Sequence, residues 1–170
     1  MAKLTFAGQK PGSYFNDEAL ENVVNYATHS QGSDNFLCYG STTLVGSPND
    51  MIDQMTAIQD LYRTDDNIGR RVEHGILIPD DQKGLQYTEE DLRNLGFMCS
   101  NFYYGMGFQS FFSLFVMLPD YYKIELVINP VDFRNGRKFV QSKEDVAGTE
   151  DIFSACLEAI VNERKAREKK

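Results

Sequence analysis

Ligands for a soft metal are scarce in this chain. It has two histidines, His29 and His74, and three cysteines, Cys38, Cys99 and Cys156, with no CxxC pair among them. A metal site would therefore have to rest on carboxylates, with Glu73, next to His74, and Glu125 as the candidates. An odd number of widely spaced cysteines fits buried thiols in a reducing compartment better than a disulfide framework. Prolines number five and no low-complexity tract is present, which argues against disorder. Long hydrophobic runs are missing too. The longest, residues 111–118, is broken by Ser113 and stopped by Pro119, and reads as a buried strand. The opening MAKLTFAGQKPGSYF has no apolar leader core, so a soluble cytoplasmic protein without membrane association is expected. There is also no phosphate-binding glycine loop, no GxSxG and no HExxH.

Positive charge is the other shortage. The formal net charge is −8, and between residues 65 and 91 eight carboxylates face three basic residues. Nucleic-acid binders draw most of their affinity from Lys and Arg on phosphates, so the balance counts against a broad DNA-binding surface. Basic residues gather in two places only: Arg134, Arg137, Lys138 and Lys143, then residues 164–170.

What is present is a 42% hydrophobic chain of 170 residues, enough for one core, so residues 1–170 are expected to form a single domain. After an irregular start, Asn16 or Asp17 caps a helix to about Thr28 with Leu20, Val23, Val24 and Ala27 on one face. A polar break opening with His29 follows, then a short strand over 36–44. Ser47-Pro48 opens a helix to about Arg63, with Met51, Ile52, Met55, Ile58, Leu61 and Tyr62 as its apolar face. Residues 70–78 read as a strand. Thr88 with three acids behind it caps a helix ending near Gly105. Residues 108–117 and 122–130 read as antiparallel strands joined by a turn at 118–120. A hairpin arm at 137–141 follows Asn135-Gly136. Gly148-Thr149 then starts a last helix, 149–168, with Ile152, Cys156, Ala159 and Ile160 facing inward. The sum is an α+β fold, an antiparallel sheet of about five strands with helices packed on it. Aromatics are dense from Phe97 to Phe115. Bases would stack on them in a single-strand binding face, but core packing is the preferred reading.

The segment YYKIELVINPVDFRNGRKFVQSK, residues 121–143, carries the most information. Its phrase INPVDFRNGRKF resembles the end of the nuclease core of mobilization-type relaxases, which nick one strand of plasmid or transposon DNA. Earlier segments resemble that family in order and spacing: NVVNYATHSQGSD, with Tyr26 at the position of the family's tyrosine; NFLCYGSTTL; SPNDMIDQM; RRVEHGILIPDDQ, with His74 and Pro79; and TEEDLRNLGFMCSNFYYG. The resemblance covers about residues 16–145. It implies a relaxase-like domain of ferredoxin-like derivation. It also implies a tyrosine nucleophile at Tyr26, a divalent metal, and partners that are single-stranded DNA or mobilization proteins.

The departures fall on the active site. Alignment on Asn129 puts Val116, Tyr121, Lys123 and Glu125 where the family has metal-binding histidines. Glu125 alone can ligate, and a protonated Lys123 repels a cation. The family metal is therefore not expected as a cofactor, and the expected function is that of a pseudoenzyme. Such a relaxase-like protein has lost metal-dependent nicking and keeps a DNA-contacting or partner-binding role in mobilization or conjugation. Lys123, Arg134, Arg137 and Lys138 are the candidate nucleic-acid contacts. Tyr26 is then an ordinary half-buried helix tyrosine, one of nine. Two alternatives stay open. One is an active relaxase nicking through Tyr26, with a variant metal site of Glu125, Glu73 and His74. The other is an acidic protein-interaction module with no DNA role.

Overall fold

The computed structural model describes residues 2–10, 12–28, 35–63, 69–80, 84, 86–117 and 121–170. The expected turn at 118–120 and the polar break at 29–34, with His29 in it, lie outside the described residues. The elements run β1 (Ala2–Phe6), α1 (Ala19–Ala27), β2 (Phe36–Gly40), α2 (Pro48–Tyr62), β3 (Glu73–Pro79), α3 (Glu89–Met106), β4 (Ser110–Met117), β5 (Tyr121–Ile128) and α4 (Lys143–Glu168). The five strands form one sheet in the order β1-β3-β5-β4-β2, every neighbouring pair antiparallel. The protein is an α+β fold with helices on both faces of that sheet.

Alternation along each strand decides which helix layer a side chain meets. Leu4, Leu77, Phe112, Leu114, Ile124, Leu126 and Ile128 point to α3 and α4, where they join Leu95, Tyr103, Phe153 and Leu157 in the larger core. Phe111 and Val127 point the other way, to Val23, Val24, Met51 and Met55 of α1 and α2. The dense aromatics are therefore mostly core: Tyr103, Phe108, Phe111 and Phe112 are fully buried. Gly96 of α3 sits so close to Phe112 that a Cβ there would come within 2.3 Å of its ring.

Helix starts follow their caps. Ser47, Thr88 and Ser142 each form a capping box with the aspartate three residues on, at Asp50, Asp91 and Asp145. The last of these corrects the expected start of α4, which begins at Lys143 and carries Gly148 and Thr149 inside it. The inward face shifts accordingly to Thr149, Phe153, Leu157 and Val161, while Ile152 is 45% exposed. On α2, Met51 and Met55 are buried but Leu61 is exposed, so the apolar face is narrower than expected.

Two strand assignments change places. The N-terminal residues, expected to be irregular, form edge strand β1, whose Ala2 and Leu4 amides donate to Ser154 Oγ and Glu150 Oε1 of α4. Those side chains occupy edge donors that would otherwise be left open. The expected hairpin arm at 137–141 is not a strand, and only a single bridge, Val131 to Lys138, forms there. Asp132 prevents more, because its backbone and side chain turn the chain back on itself. Among the described residues no helix is long and apolar enough to cross a membrane, and the three cysteines are free.

Candidate functional site

The central strand β5 carries Tyr121, Lys123 and Glu125 on the α1/α2 face, in alternation with the core residues of the other face. Glu125 is fully buried, and a buried carboxylate needs partners to offset its lost hydration. It has two. His74, on the neighbouring strand β3 and two residues along the same face, places Nε2 3.0 Å from Oε2. The carboxylate can only accept, so this geometry puts the imidazole proton on Nε2. Lys123 Nζ lies 2.5 Å from Oε1. That contact is best described as a tight ion pair. Burial pushes the Glu125 carboxyl up, but His74 and Lys123 together hold it below the usual range. Burial likewise works against the Lys123 ammonium, and Glu125 with the Tyr26 side chain more than compensates, raising it.

Tyr26 completes the cluster from α1. Its ring stands edge-on to His74 at a centroid distance of 6.0 Å, and the Lys123 ammonium sits 5.9 Å from the ring centre. Lys123 also lies 4.9 Å over the Phe115 ring. Tyr26 is half exposed, so its side chain lies between the buried pair and solvent. Ser113, paired in register with Glu125 from β4, is buried, and its Oγ has no hydrogen-bond partner among the described residues. One helix and three adjacent strands thus bring Tyr26, His74, Ser113, Lys123 and Glu125 to one place.

The remaining predicted residues go elsewhere. Val116 shares the α3/α4 face with Phe112 and Leu114, opposite to Glu125, so it is not part of this cluster. Glu73 precedes His74 and therefore faces away from it; its Oε1 pairs with Arg70 Nε at 2.9 Å. The variant metal site of Glu125, Glu73 and His74 is thereby corrected: two of the three groups meet and the third lies across the sheet. Among the described residues no group of three His, Cys, Asp or Glu side chains is placed to hold a metal. A divalent cation does not fit the cluster as built, because the two candidate donors are already engaged with each other and an ammonium occupies the space beside them.

The proposed nucleic-acid contacts do not form one patch. Lys123 lies near the start of β5, while Arg134, Arg137 and Lys138 lie in the loop beyond its end. Six residues of extended chain, about 20 Å, separate Lys123 from Asn129. In that loop Asp132 is fully buried and receives Arg134 through its backbone amide, Nε and Nη2 at 2.9–3.0 Å, with Arg137 Nη2 at 3.6 Å. Arg134 Nη2 also donates to Met106 O at 2.5 Å, at the C-terminus of α3. Gly107 there has φ +98°, and a Cβ on it would come within 2.4 Å of both Arg134 and Asp132. Asn129 is buried and donates to Met55 O and Gln109 Oε1 while accepting from Gln59. The INPVDFRNG phrase is thus a structural clasp that ties β5 to α2, to α3 and to the start of β4.

The sequence points to Tyr26, His74, Lys123 and Glu125 but not to Ser113 or Phe115 as members of this cluster. The register of β4 against β5 was the signal that could have found them, since both alternate onto the face of Glu125. No protein-family model matches this chain, and no curated protein matches it.

Proposed function

We propose that the Tyr26, His74, Lys123 and Glu125 cluster is a remodelled relaxase-type site in which a tethered ammonium stands where a divalent cation would be needed. The protein would then hold a DNA strand or a mobilization partner without cutting it. The observation that carries this reading is the Lys123 ammonium, locked against Glu125 at 2.5 Å and beside Tyr26. An ammonium supplies positive charge to a phosphate but has no open coordination position for the scissile oxygen, so it offers attraction without Lewis acidity. The half-exposed tyrosines Tyr26, Tyr39 and Tyr121 offer rings on which bases of a single strand could stack.

The test is anisotropy binding of a fluorescent single-stranded oligonucleotide across a salt series, with a parallel cleavage assay in Mg²⁺ and Mn²⁺. The reading expects binding that weakens steeply with salt and no cleaved product. Metal-dependent cleavage abolished by Tyr26→Phe would make the protein an active nuclease and end the proposal. The net charge of −8 favours a second reading, an acidic protein-interaction module. Absence of oligonucleotide binding at low salt would select it.

A further inference from the structure

The opposite face of β3 holds a second buried carboxylate in a different setting. Glu73 is 7% exposed and stands in the wall between two clefts, both of which it lines together with Arg70 and Phe139. The first cleft, about 230 Å³, opens between Tyr62 and Arg63 at the end of α2 and Pro130, Lys138 and Phe139 of the loop after β5. The second, about 510 Å³, extends toward Phe6 of β1 and Lys143 and Glu150 of α4.

The first cleft has fixed aromatic walls. Tyr62 Oη donates to Phe133 O at 3.2 Å, and Gly136 (φ +73°) lies so close to the Tyr62 ring that a Cβ there would come within 2.5 Å of it. Phe139 packs on Phe6, Tyr103 and Phe108 with centroid distances of 5.9, 5.9 and 5.1 Å. Rings held in this way need no reordering to receive a flat ligand. Among the described residues, the charges lining the cleft are the reverse of those of the whole chain: Arg63, Arg70 and Lys138 against Glu73. Arg63 lies 3.9 Å from Asp17, and Arg70 is engaged with Glu73 and with the carbonyls of Ala7 and Gly8. Lys138 is exposed and has no ion pair among the described residues.

We propose that this cleft binds a small planar aromatic anion. Its ring lies against Tyr62 and Phe139, its carboxylate or phosphate sits on Lys138 and Arg63, and Glu73 hydrogen-bonds its polar edge. None of Tyr26, His74, Lys123 and Glu125 lines this cleft.

A pH dependence follows from the geometry. Burial raises the Glu73 carboxyl to about 7, outweighing the pull of Arg70. The charged and titratable groups around it are Arg70 and Tyr14, Tyr62 and Arg63 of α2, Lys138 of the loop, and Lys143 and Glu150 of α4. Below 7 Glu73 is neutral and donates a hydrogen bond. Above 7 it is anionic, repels the ligand and competes for the cations, so affinity falls as pH rises through 7. One group titrating there gives at most about a tenfold loss between pH 6 and pH 8.

The experiment is calorimetric titration of the whole chain with 2-naphthoate, adenosine 5′-monophosphate and the neutral 2-naphthylmethanol, at pH 6 and pH 8. Saturable binding of either anion is expected, weakened about tenfold by Lys138→Gln, in the range of one charge-assisted contact. Whichever anion binds more tightly identifies the head group. Glu73→Gln, with folding checked by circular dichroism, is expected to bind 2-naphthoate, whose charge does not change in this range, at pH 8 as tightly as at pH 6. The proposal is overturned if neither anion saturates, if the neutral alcohol binds as well as naphthoate, or if Lys138→Gln and Tyr62→Ala both leave affinity unchanged.

Discussion

Glu73 and Glu125 are two carboxylates buried in adjacent strands of one sheet, and they end in opposite states. Glu125 has an imidazole and an ammonium on its two oxygens and is held below the usual carboxylate range. Glu73 has a single guanidinium nitrogen at 2.9 Å and is raised to about 7. Burial acts upward on both. The number of hydrogen-bonding and charged partners that reach each carboxylate decides the outcome. The first is consequently a fixed structural charge, and the second is a titrating group on the edge of a cleft.

The difference between the two carboxylates rests most heavily on Lys123. Lys123→Met leaves Glu125 buried beside His74 alone and is expected to cost about 3 kcal/mol in urea unfolding, as for one partner removed from a buried pair. Combining it with Glu125→Leu removes both charges and should recover most of that loss. A double variant as unstable as the single one would show that the pair is not what Lys123→Met disrupts. Next in size is Gly96→Ala, which forces a methyl into the Phe112 ring and should cost about 2 kcal/mol by the same measurement.

The two carboxylates also predict opposite pH behaviour. Glu125 is depressed, so its contribution is present above the ordinary carboxylate range and is lost as pH falls through its folded value. Glu73 is raised, so the folded state keeps a proton that the unfolded chain has released. Stability is therefore lost as pH rises from the usual glutamate value of 4.5 to about 7. Denaturation midpoints of Glu73→Gln and the parent protein should converge near pH 4 and separate toward pH 8, with the variant the more stable. The smallest expected effect is at the cap of α4, where Ser142→Ala should cost about 1 kcal/mol.

Much of this architecture was legible in the sequence, and the parts that were not have physical reasons. The caps at Ser47 and Thr88 fixed the starts of α2 and α3 because side-chain acceptors there answer free amides within three residues. The same signal stood at Ser142 and Asp145, but Gly148 reads as a breaker, and α4 was therefore placed too late. Helical packing tolerates that glycine because its Cβ position is open space. β1 was hidden because its edge is satisfied by Glu150 and Ser154, residues far away in sequence. Asn135-Gly136 signals a hairpin, yet the buried Asp132 draws the chain into a clasp instead. At the site, the family resemblance grouped Lys123 with Glu125, and the variant metal site set Glu73 and His74 beside Glu125; the pairing of β3 with β5 keeps His74 there and removes Glu73.

Under the proposed function the Lys123 ammonium takes the place of a metal ion. Calorimetric titration of Mn²⁺ into the parent protein and into Lys123→His tests it most directly. The substitution would set a second imidazole beside His74 and Glu125, a donor set suited to a first-row divalent ion. Stoichiometric Mn²⁺ binding is expected in Lys123→His and is lost on adding His74→Ala, with no such site in the parent chain. Equally tight Mn²⁺ binding by the parent chain, lost in Glu125→Gln, would contradict it.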